Sequence, residues 1–85
     1  MMKLKYDVGD PVVYRNDEGG VVTFEKGDTV AAIVFGKLIT ETYDVGLDWN
    51  GKEWYTTGFG TKTTVVDPSD PEAVRYFSEH PDEDD

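Results

Sequence analysis

The sequence predicts a mainly β fold, a small antiparallel barrel of five or six strands followed by a short C-terminal helix. Three observations lead to this prediction. The chain has 85 residues, which is enough for one domain. Turn signals rich in Gly, Asn and Asp recur at roughly the 8–12-residue spacing of β-sandwiches and barrels. Nine Gly and four Pro favour many turns over long helices.

The turn signals divide the first 66 residues of the chain. Asn50-Gly51 is the sharpest, because Asn-Gly supplies the two positive-φ residues of a type I′ hairpin turn. Gly58-Phe59-Gly60 indicates a bulge or a bend. The other signals lie at residues 16–20, 26–28 and 36–37.

Six β-rich segments lie between these signals. The almost wholly apolar segment 29–35 indicates a central strand buried on both faces, or one that switches sheets. Segment 38–47 alternates apolar and polar residues, which predicts one continuous strand. The predicted apolar face of that strand carries Ile39, Tyr43, Val45 and Leu47. The remaining strands are predicted at 10–15, 21–25, 53–57 and 61–66.

After residue 66 the sequence changes from strand-like to helix-like. Ser69 and Glu72 have the spacing of a capping box, which predicts a helix near 70–79 with Ser69 as its N-cap. Val74 and Phe77 are predicted to dock this helix on the barrel. We expect the acidic tail to be disordered, since it has no apolar group to bury. The predicted units are a barrel at 1–66, a linker and helix at 67–80, and a tail at 81–85.

The charge is strongly negative and unevenly distributed. Eighteen acidic and eight basic side chains give a formal net charge of −10. Residues 1–66 contain ten acids and seven bases, whereas residues 67–85 contain eight acids and one base, Arg75. Phosphate backbones are bound through Lys and Arg, so this balance disfavours direct nucleic-acid binding. It suits a basic protein partner, and it also suits solubility alone.

Several classes of function are disfavoured by residue type. The absence of Cys excludes disulfides, thiolate zinc sites and cysteine nucleophiles. The only histidine, His80, lies near the tail, where an ordered Ser-His-Asp arrangement is not expected. No apolar run approaches the about 18 residues of a membrane span, and no signal-peptide pattern follows the first residues. We therefore expect a cytoplasmic, non-enzymatic protein with no catalytic residue, metal, cofactor or membrane partner.

Four segments in order carry a resemblance to a known group of folds. They are Val8-Gly9-Asp10-Pro11-Val12, then 20–24, then the apolar segment 30–35, then the aromatic-rich segment 49–54. This order resembles the SH3-like small barrels of the Tudor and KOW kind over about residues 6–66. The resemblance implies a strongly bent SH3-like barrel and does not extend to the helix or the tail. KOW members that bind RNA carry basic loops, which this chain lacks, so nucleic-acid binding is not carried over.

The aromatic residues supply the candidate binding surface. Trp54 and Tyr55 are adjacent, so within a strand they face opposite sides, and one of them is expected outside the main core. Trp49 precedes a hairpin tip, where burial is harder. Aromatic rings with acids nearby can hold Arg or Lys through cation–π contact and charge. The predicted binding residues are Asp44, Asp48, Trp49, Glu53, Trp54 and Tyr55.

These observations predict an acidic adaptor or inhibitor that engages a basic protein surface. In a narrower form it is a nucleic-acid mimic of viral or mobile-element origin that occupies the site of a nucleic-acid-binding enzyme. One alternative is a Tudor-like module whose aromatic cage binds a methylated cationic side chain, and another is a structural subunit of a larger assembly. The placement of the aromatic residues discriminates the first two, because a cage requires several of them around one pocket.

Overall fold

Six antiparallel strands close into a barrel, and one helix follows them. The computed structural model describes residues 6–81, and the prediction for tail residues 82–85 lies outside the described residues. The strands are β1 (Pro11–Glu18), β2 (Val21–Val34), β3 (Lys37–Thr40), β4 (Leu47–Trp49), β5 (Trp54–Gly58) and β6 (Thr61–Val66), and the helix is α1 (Pro71–Glu79). Each strand pairs with the next, and β1 also pairs with β6, which closes the barrel. The predicted mainly β barrel with a C-terminal helix is confirmed.

Three hairpins have two-residue turns in which both residues have positive φ. They are Gly19-Gly20 between β1 and β2, Phe35-Gly36 between β2 and β3, and Phe59-Gly60 between β5 and β6. Two consecutive positive-φ residues are what a type I′ turn requires. The segment predicted as a bulge or bend at 58–60 is therefore part of a tight hairpin.

The predicted type I′ turn at Asn50-Gly51 is wrong. Only Gly51 has a positive φ, and β4 and β5 are joined by four residues. The Oδ1 atom of Asn50 accepts hydrogen bonds from the backbone N–H groups of Lys52 and Glu53, at 2.9 and 2.8 Å. This side-chain contact closes a longer loop and removes the need for Asn50 to enter the left-handed region.

The second strand is much longer than expected and absorbs the predicted turn at 26–28. Gly27 has a φ of +100°, and the register with β1 shifts between Val12 and Tyr14, which marks a β-bulge. The strand therefore bends without leaving the sheet. Its last part is not buried on both faces as predicted, because Val30 is buried whereas Ile33 and Val34 are exposed near the hairpin tip.

The predicted single strand over 38–47 is also wrong. It consists of β3 and β4 with a loop at 41–46 between them. The Thr40 hydroxyl oxygen accepts a hydrogen bond from the Tyr43 N–H at 3.0 Å, and the N–H of Gly46 donates to the carbonyl of Tyr43. These local bonds replace the strand ladder. Leu47 is fully buried opposite Leu38, but Val45 is exposed in the loop.

Two hydrophobic clusters lie on the two faces of strand β1. The cluster inside the barrel comprises Tyr6, Val12, Tyr14, Val30, Leu38, Leu47 and Val65. The cluster beneath α1 comprises Val13, Phe24, Val66 and Ala73. Alternate residues of one strand thus serve the interior and the helix, as the two-residue period of a strand requires.

The helix is held differently from its prediction. Asp70, not Ser69, is the N-cap, since its Oδ1 accepts from the N–H groups of Glu72 and Ala73, at 2.8 and 3.4 Å. The Ser69 hydroxyl instead donates to an Asp67 carboxylate oxygen at 2.6 Å.

The residues that dock the helix also differ from the prediction. Ala73 is fully buried, and the Phe24 ring packs on Tyr76 and Phe77 at centroid distances of 5.4 and 6.4 Å. The predicted docking role of Phe77 is confirmed, whereas Val74 is exposed. Between residues 6 and 81, no helix has both the length and the apolar character needed to cross a membrane.

Candidate functional site

The β4–β5 hairpin contains five of the six predicted site residues, namely Asp48, Trp49, Glu53, Trp54 and Tyr55. Trp49 and Trp54 are cross-strand partners, and their ring centroids lie 5.2 Å apart with the planes tilted by 53°. Residues directly opposite each other on antiparallel strands project from the same face. Asp48 and Glu53 each precede one of these tryptophans in the chain. Asp48 pairs with Tyr55 and therefore projects from the opposite face of the hairpin, so the name tryptophan face is used below for the pair Trp49 and Trp54 alone.

The two tryptophans have different surroundings. Trp54 is half-buried and packs against the cluster inside the barrel, whereas 40% of Trp49 is exposed. The Trp54 indole N–H is buried and has no hydrogen-bond acceptor among residues 6–81. Trp49 is therefore the ring that a partner can contact, and Trp54 supports it from below.

The two acids of the β4–β5 hairpin are not equivalent. The Lys37 ammonium lies 2.5 Å from Oδ1 of Asp48, which faces it across the β3–β4 pair. The charge of Asp48 is therefore largely compensated within the protein. Glu53 is half-buried in the loop, where its backbone carbonyl accepts from the Asn50 N–H at 3.2 Å.

Tyr55 and Asp44 also lie outside the tryptophan face. Tyr55 is next to Trp54 in β5 and projects from the opposite face, where the Lys62 ammonium lies 5.8 Å from its ring centroid. Asp44 is exposed in the loop that precedes β4, whereas Glu53 is in the loop that follows it. The strand between these loops separates the two acids, so Asp44 does not join the tryptophan face.

A second candidate region, which the sequence did not indicate, lies at one mouth of the barrel. The inward-facing positions of β1 change from apolar to polar along the strand, from Val12 and Tyr14 to Asn16 and Glu18. A groove of about 530 Å³ opens there. This mouth groove is lined by Asn16, Glu18, Glu25, Tyr43, Phe59 and Thr63, with further threonines of β2, β5 and β6.

A chain of side-chain hydrogen bonds crosses three strands at the floor of the mouth groove. The Thr63 hydroxyl donates to Oδ1 of Asn16 at 2.7 Å, and Nδ2 of Asn16 donates to Oε1 of Glu25 at 2.5 Å. These bonds fix the orientation of the Asn16 amide and hold one oxygen of the Glu25 carboxylate. Within residues 6–81 the other oxygen, Oε2, has no hydrogen-bond donor, so it can accept one from a ligand.

A buried polar cluster positions one wall of this groove. The Tyr14 hydroxyl donates to Oδ2 of Asp28, and the Tyr14 and Thr40 hydroxyl oxygens lie 2.6 Å apart. Because the single Tyr14 proton is directed at the carboxylate, Thr40 is the donor to Tyr14. Asp28 also accepts from the N–H groups of Thr29 and Thr42, at 3.0 and 3.3 Å. These contacts hold the loop at 41–46 against the barrel.

The cluster shifts the protonation equilibria of its members. Burial raises the pKa of the Tyr14 hydroxyl, and its hydrogen bond to Asp28 raises it further. Burial alone would raise the pKa of Asp28, but hydrogen bonds from Tyr14, Thr42 and the Thr29 backbone outweigh it and lower the pKa. Asp28 is therefore a stabilised buried carboxylate, as is expected of a structural group with several donors.

Two aromatic side chains stand at the edges of the mouth groove. Tyr43 packs edge-on against Tyr14, with ring centroids 5.1 Å apart. Phe59, at the β5–β6 hairpin tip, is fully exposed and has a φ of +53°, a conformation that costs energy for any residue with a Cβ. The sequence did not indicate these residues because Phe59 lay in a predicted bend. The one sequence signal from which this groove could have been predicted is the change from apolar to polar residues at alternate positions of β1 beyond Tyr14.

Among residues 6–81, no group of three or more His, Cys, Asp and Glu side chains is placed to hold a metal ion. Comparison of the chain with protein-family profiles, curated proteins and solved structures finds no match. The fold, a small six-stranded antiparallel barrel with a C-terminal helix, is consistent with an SH3-like architecture.

Proposed function

We propose that this chain is a non-enzymatic acidic binding protein, an adaptor or inhibitor that engages a basic protein surface. The observation that carries the proposal is the exposed Trp49, paired with Trp54 in a hairpin that also contains Asp48 and Glu53, in a chain with a net charge of −10. An exposed indole next to acids attracts a cationic side chain through both its ring face and the local charge. Aromatic side chains at the centre of an interface also contribute more binding energy than most of their neighbours.

The basic side chains of the described residues support the proposal, since most are already engaged within the protein. Arg15 lies near Asp17 and Glu72, Lys37 pairs with Asp48, and Arg75 pairs with Glu79. Lys26 and Lys62 lie over the rings of Phe77 and Tyr55. Little positive charge is therefore free to oppose a basic partner or to hold phosphates.

A narrower form of the proposal makes the protein a nucleic-acid mimic. In this form, its carboxylates take the place of phosphates in the binding site of a nucleic-acid-binding enzyme, as proteins from viruses and mobile elements can do. The alternative of an aromatic cage is less favoured. Trp49 and Trp54 share one face while Tyr55 projects from the other, so these three rings do not surround one pocket.

Calorimetric titration with a basic peptide tests the proposal. Deca-arginine should bind, and its affinity should fall steeply between low and physiological salt, where ions screen charge beyond about 8 Å. Deca-glutamate and duplex DNA should not bind. The Trp49→Ala variant should bind more weakly than the native protein, whereas Val45→Ala, which removes another exposed side chain, should bind equally well. An affinity that is the same at both salt concentrations contradicts the proposal.

Capture experiments in a lysate identify the class of partner. The immobilised protein should retain basic nucleic-acid-binding proteins, and added duplex DNA should displace them if the narrower form is correct. The Trp49→Ala variant serves as the matched control, and mass spectrometry scores the isoelectric points of retained proteins. Retention of the same proteins by both forms, without regard to their charge, contradicts a role for the tryptophan face.

A further inference from the structure

We propose that the mouth groove is a binding slot for an unmethylated arginine side chain of the partner. This inference rests on the proposed function, since it names a chemical group that a basic partner presents, but it concerns a different surface from the tryptophan face. Three properties of the groove lead to it: its charge, its hydrogen-bond acceptors and its aromatic edges.

The charge of the groove is wholly negative among the described residues. Its lining includes the carboxylates of Glu18 and Glu25, and none of the Lys, Arg or His residues between 6 and 81 lines it. Three bases are chain neighbours of lining residues, and each has a contact outside the groove: Arg15 lies near Asp17 and Glu72, and Lys26 and Lys62 lie over the rings of Phe77 and Tyr55. A cation entering the groove therefore meets no opposing charge from these residues.

The acceptors of the groove suit a guanidinium group better than an ammonium group. Oε2 of Glu25 is available while Oε1 is held by Asn16, and hydroxyl groups of threonines on β5 and β6 lie along the same lining. Arginine has five N–H donors fixed in one plane, whereas lysine has three on one atom. Because the acceptors of the groove lie on several strands, the five N–H groups of a guanidinium can reach more of them at once than the three of an ammonium.

The aromatic edges supply a second attraction for the same group. Tyr43 and Phe59 both line the groove, and a guanidinium stacks favourably on aromatic faces. Tyr43 is fixed by the N–H bond to Thr40 and by contact with Tyr14. Phe59 occupies a position where Asn or Gly would be less strained, and strained residues concentrate at functional sites. Phe35 has a similar φ and exposure away from the groove, so the position of Phe59 on the groove lining is what makes its ring available to a ligand.

The groove can be blocked without altering its polar groups. Gly58 lies on its lining, and a Cβ added there meets no atom within 4 Å. Its φ lies outside the left-handed region, so a side chain at this position is not strained. Gly58→Val therefore fills the groove with branched carbon while retaining the strand conformation, which valine favours.

The decisive experiment titrates the isotope-labelled protein with blocked arginine, Nα-acetyl-arginine amide, at constant ionic strength while amide NMR signals are followed. Saturable shifts should appear at β1, β5 and the loop at 41–46. Blocked lysine and blocked symmetric dimethylarginine should bind about tenfold more weakly or worse, since each loses hydrogen bonds to charged or polar acceptors. An aromatic cage would instead favour the methylated ligand.

Variants separate the groove from general electrostatic attraction. Glu25→Gln should weaken binding by about tenfold, and Gly58→Val should abolish it without lowering the melting temperature. Glu79→Gln removes the same charge from the far helix and should have no effect. Equal losses in Glu25→Gln and Glu79→Gln, or shifts confined to the tryptophan face, overturn the inference.

The outcomes for the two proposals are distinguishable. If blocked arginine leaves the groove signals unchanged while deca-arginine still binds in a salt-dependent manner, the groove assignment is wrong and the proposed function stands. If blocked arginine binds in the groove but deca-arginine shows no salt-dependent affinity, the groove assignment stands and the proposed function is wrong.

Discussion

The hydroxyl of Tyr14 donates a hydrogen bond to the carboxylate of Asp28 inside the six-stranded barrel. The two residues lie on paired strands beside the β-bulge at Gly27, and Asp28 is 8% exposed. The same carboxylate accepts the N–H of Thr42, so one acid joins the bend of β2 to the loop that carries Tyr43. The contact therefore supports both the fold and one wall of the mouth groove.

Tyr14→Phe should destabilise the protein by about 1–3 kcal/mol, because it leaves a buried carboxylate without one of its donors. The aromatic ring stays, so packing against Tyr43 is preserved. Urea denaturation at neutral pH measures the change. Tyr55→Phe, which removes a hydroxyl from a surface ring, is the control and should be nearly neutral. An unchanged midpoint in Tyr14→Phe means that the hydrogen bond contributes little net stability.

Acid should destabilise the protein partly through Asp28. The pKa of this carboxyl is lowered in the folded state, so the unfolded state binds the proton more readily. Its contribution is present above the unfolded pKa of about 3.9 and is lost as the pH falls through the lower folded value. Denaturation midpoints between neutral pH and about pH 2 should fall less steeply in Asp28→Asn than in the native protein. Parallel curves for the two forms contradict this role.

Alkali should destabilise the protein through its buried phenols. Burial, together with the negative charges of Asp67 and Asp10, raises the pKa of Tyr6 to about 12. A group with a raised folded pKa contributes stability below its unfolded pKa, near 10 for tyrosine, and loses it as the pH rises through the folded value. Above about pH 10, the loss of stability with rising pH should therefore be smaller in Tyr6→Phe than in the native protein. Melting temperatures measured at a series of alkaline pH values test this prediction. The same decrease in both proteins contradicts it.

The two tryptophans should separate stability from binding. Trp54→Ala should cost about 3–5 kcal/mol because it opens a cavity at the edge of the core, whereas Trp49→Ala should cost less than about 1 kcal/mol, as at exposed positions. With a partner in hand, Trp49→Ala should mainly speed dissociation. Asp48→Asn should mainly slow association, since it also leaves the Lys37 charge uncompensated. Denaturation curves show that each variant is folded before its binding kinetics are compared by surface plasmon resonance. Equal losses of stability in Trp49→Ala and Trp54→Ala contradict the assignment of Trp54 to the core and Trp49 to the surface.

Phe59 should show opposite effects on stability and binding. Phe59→Asn places a residue that tolerates positive φ before Gly60, which relieves part of the roughly 1–2 kcal/mol cost of a left-handed L-residue. The melting temperature should rise while affinity for blocked arginine falls. Phe35→Asn is the matched control, because Phe35 has a similar φ of 50° but does not line the mouth groove. It should raise stability and leave arginine binding unchanged.

The tryptophan face shows how much of a site local patterns can reveal. Asn50-Gly51 predicted a hairpin here, but the pairing of Trp49 with Trp54 depends on the four-residue loop, since a two-residue turn would place Trp49 opposite Lys52. The type of turn was not predictable, because Asn50 could bond its own backbone neighbours instead of adopting a positive φ. Conversely, Phe35-Gly36 and Phe59-Gly60 form tight turns although Phe disfavours the conformation, since the register of the paired strands leaves only two residues to connect them.

The sequence by itself determined the fold class, the presence of a terminal helix and the excess of acid. These depend on turn residues, side-chain alternation and composition, which act between neighbours along the chain. Only the tertiary structure decided where β2 bends, which part of its apolar segment is buried, and that a mouth groove exists. The Thr63–Asn16 bond on its floor joins residues 47 apart in the chain. Such a contact arises only when the barrel closes β1 against β6, because closure sets which polar side chains meet inside.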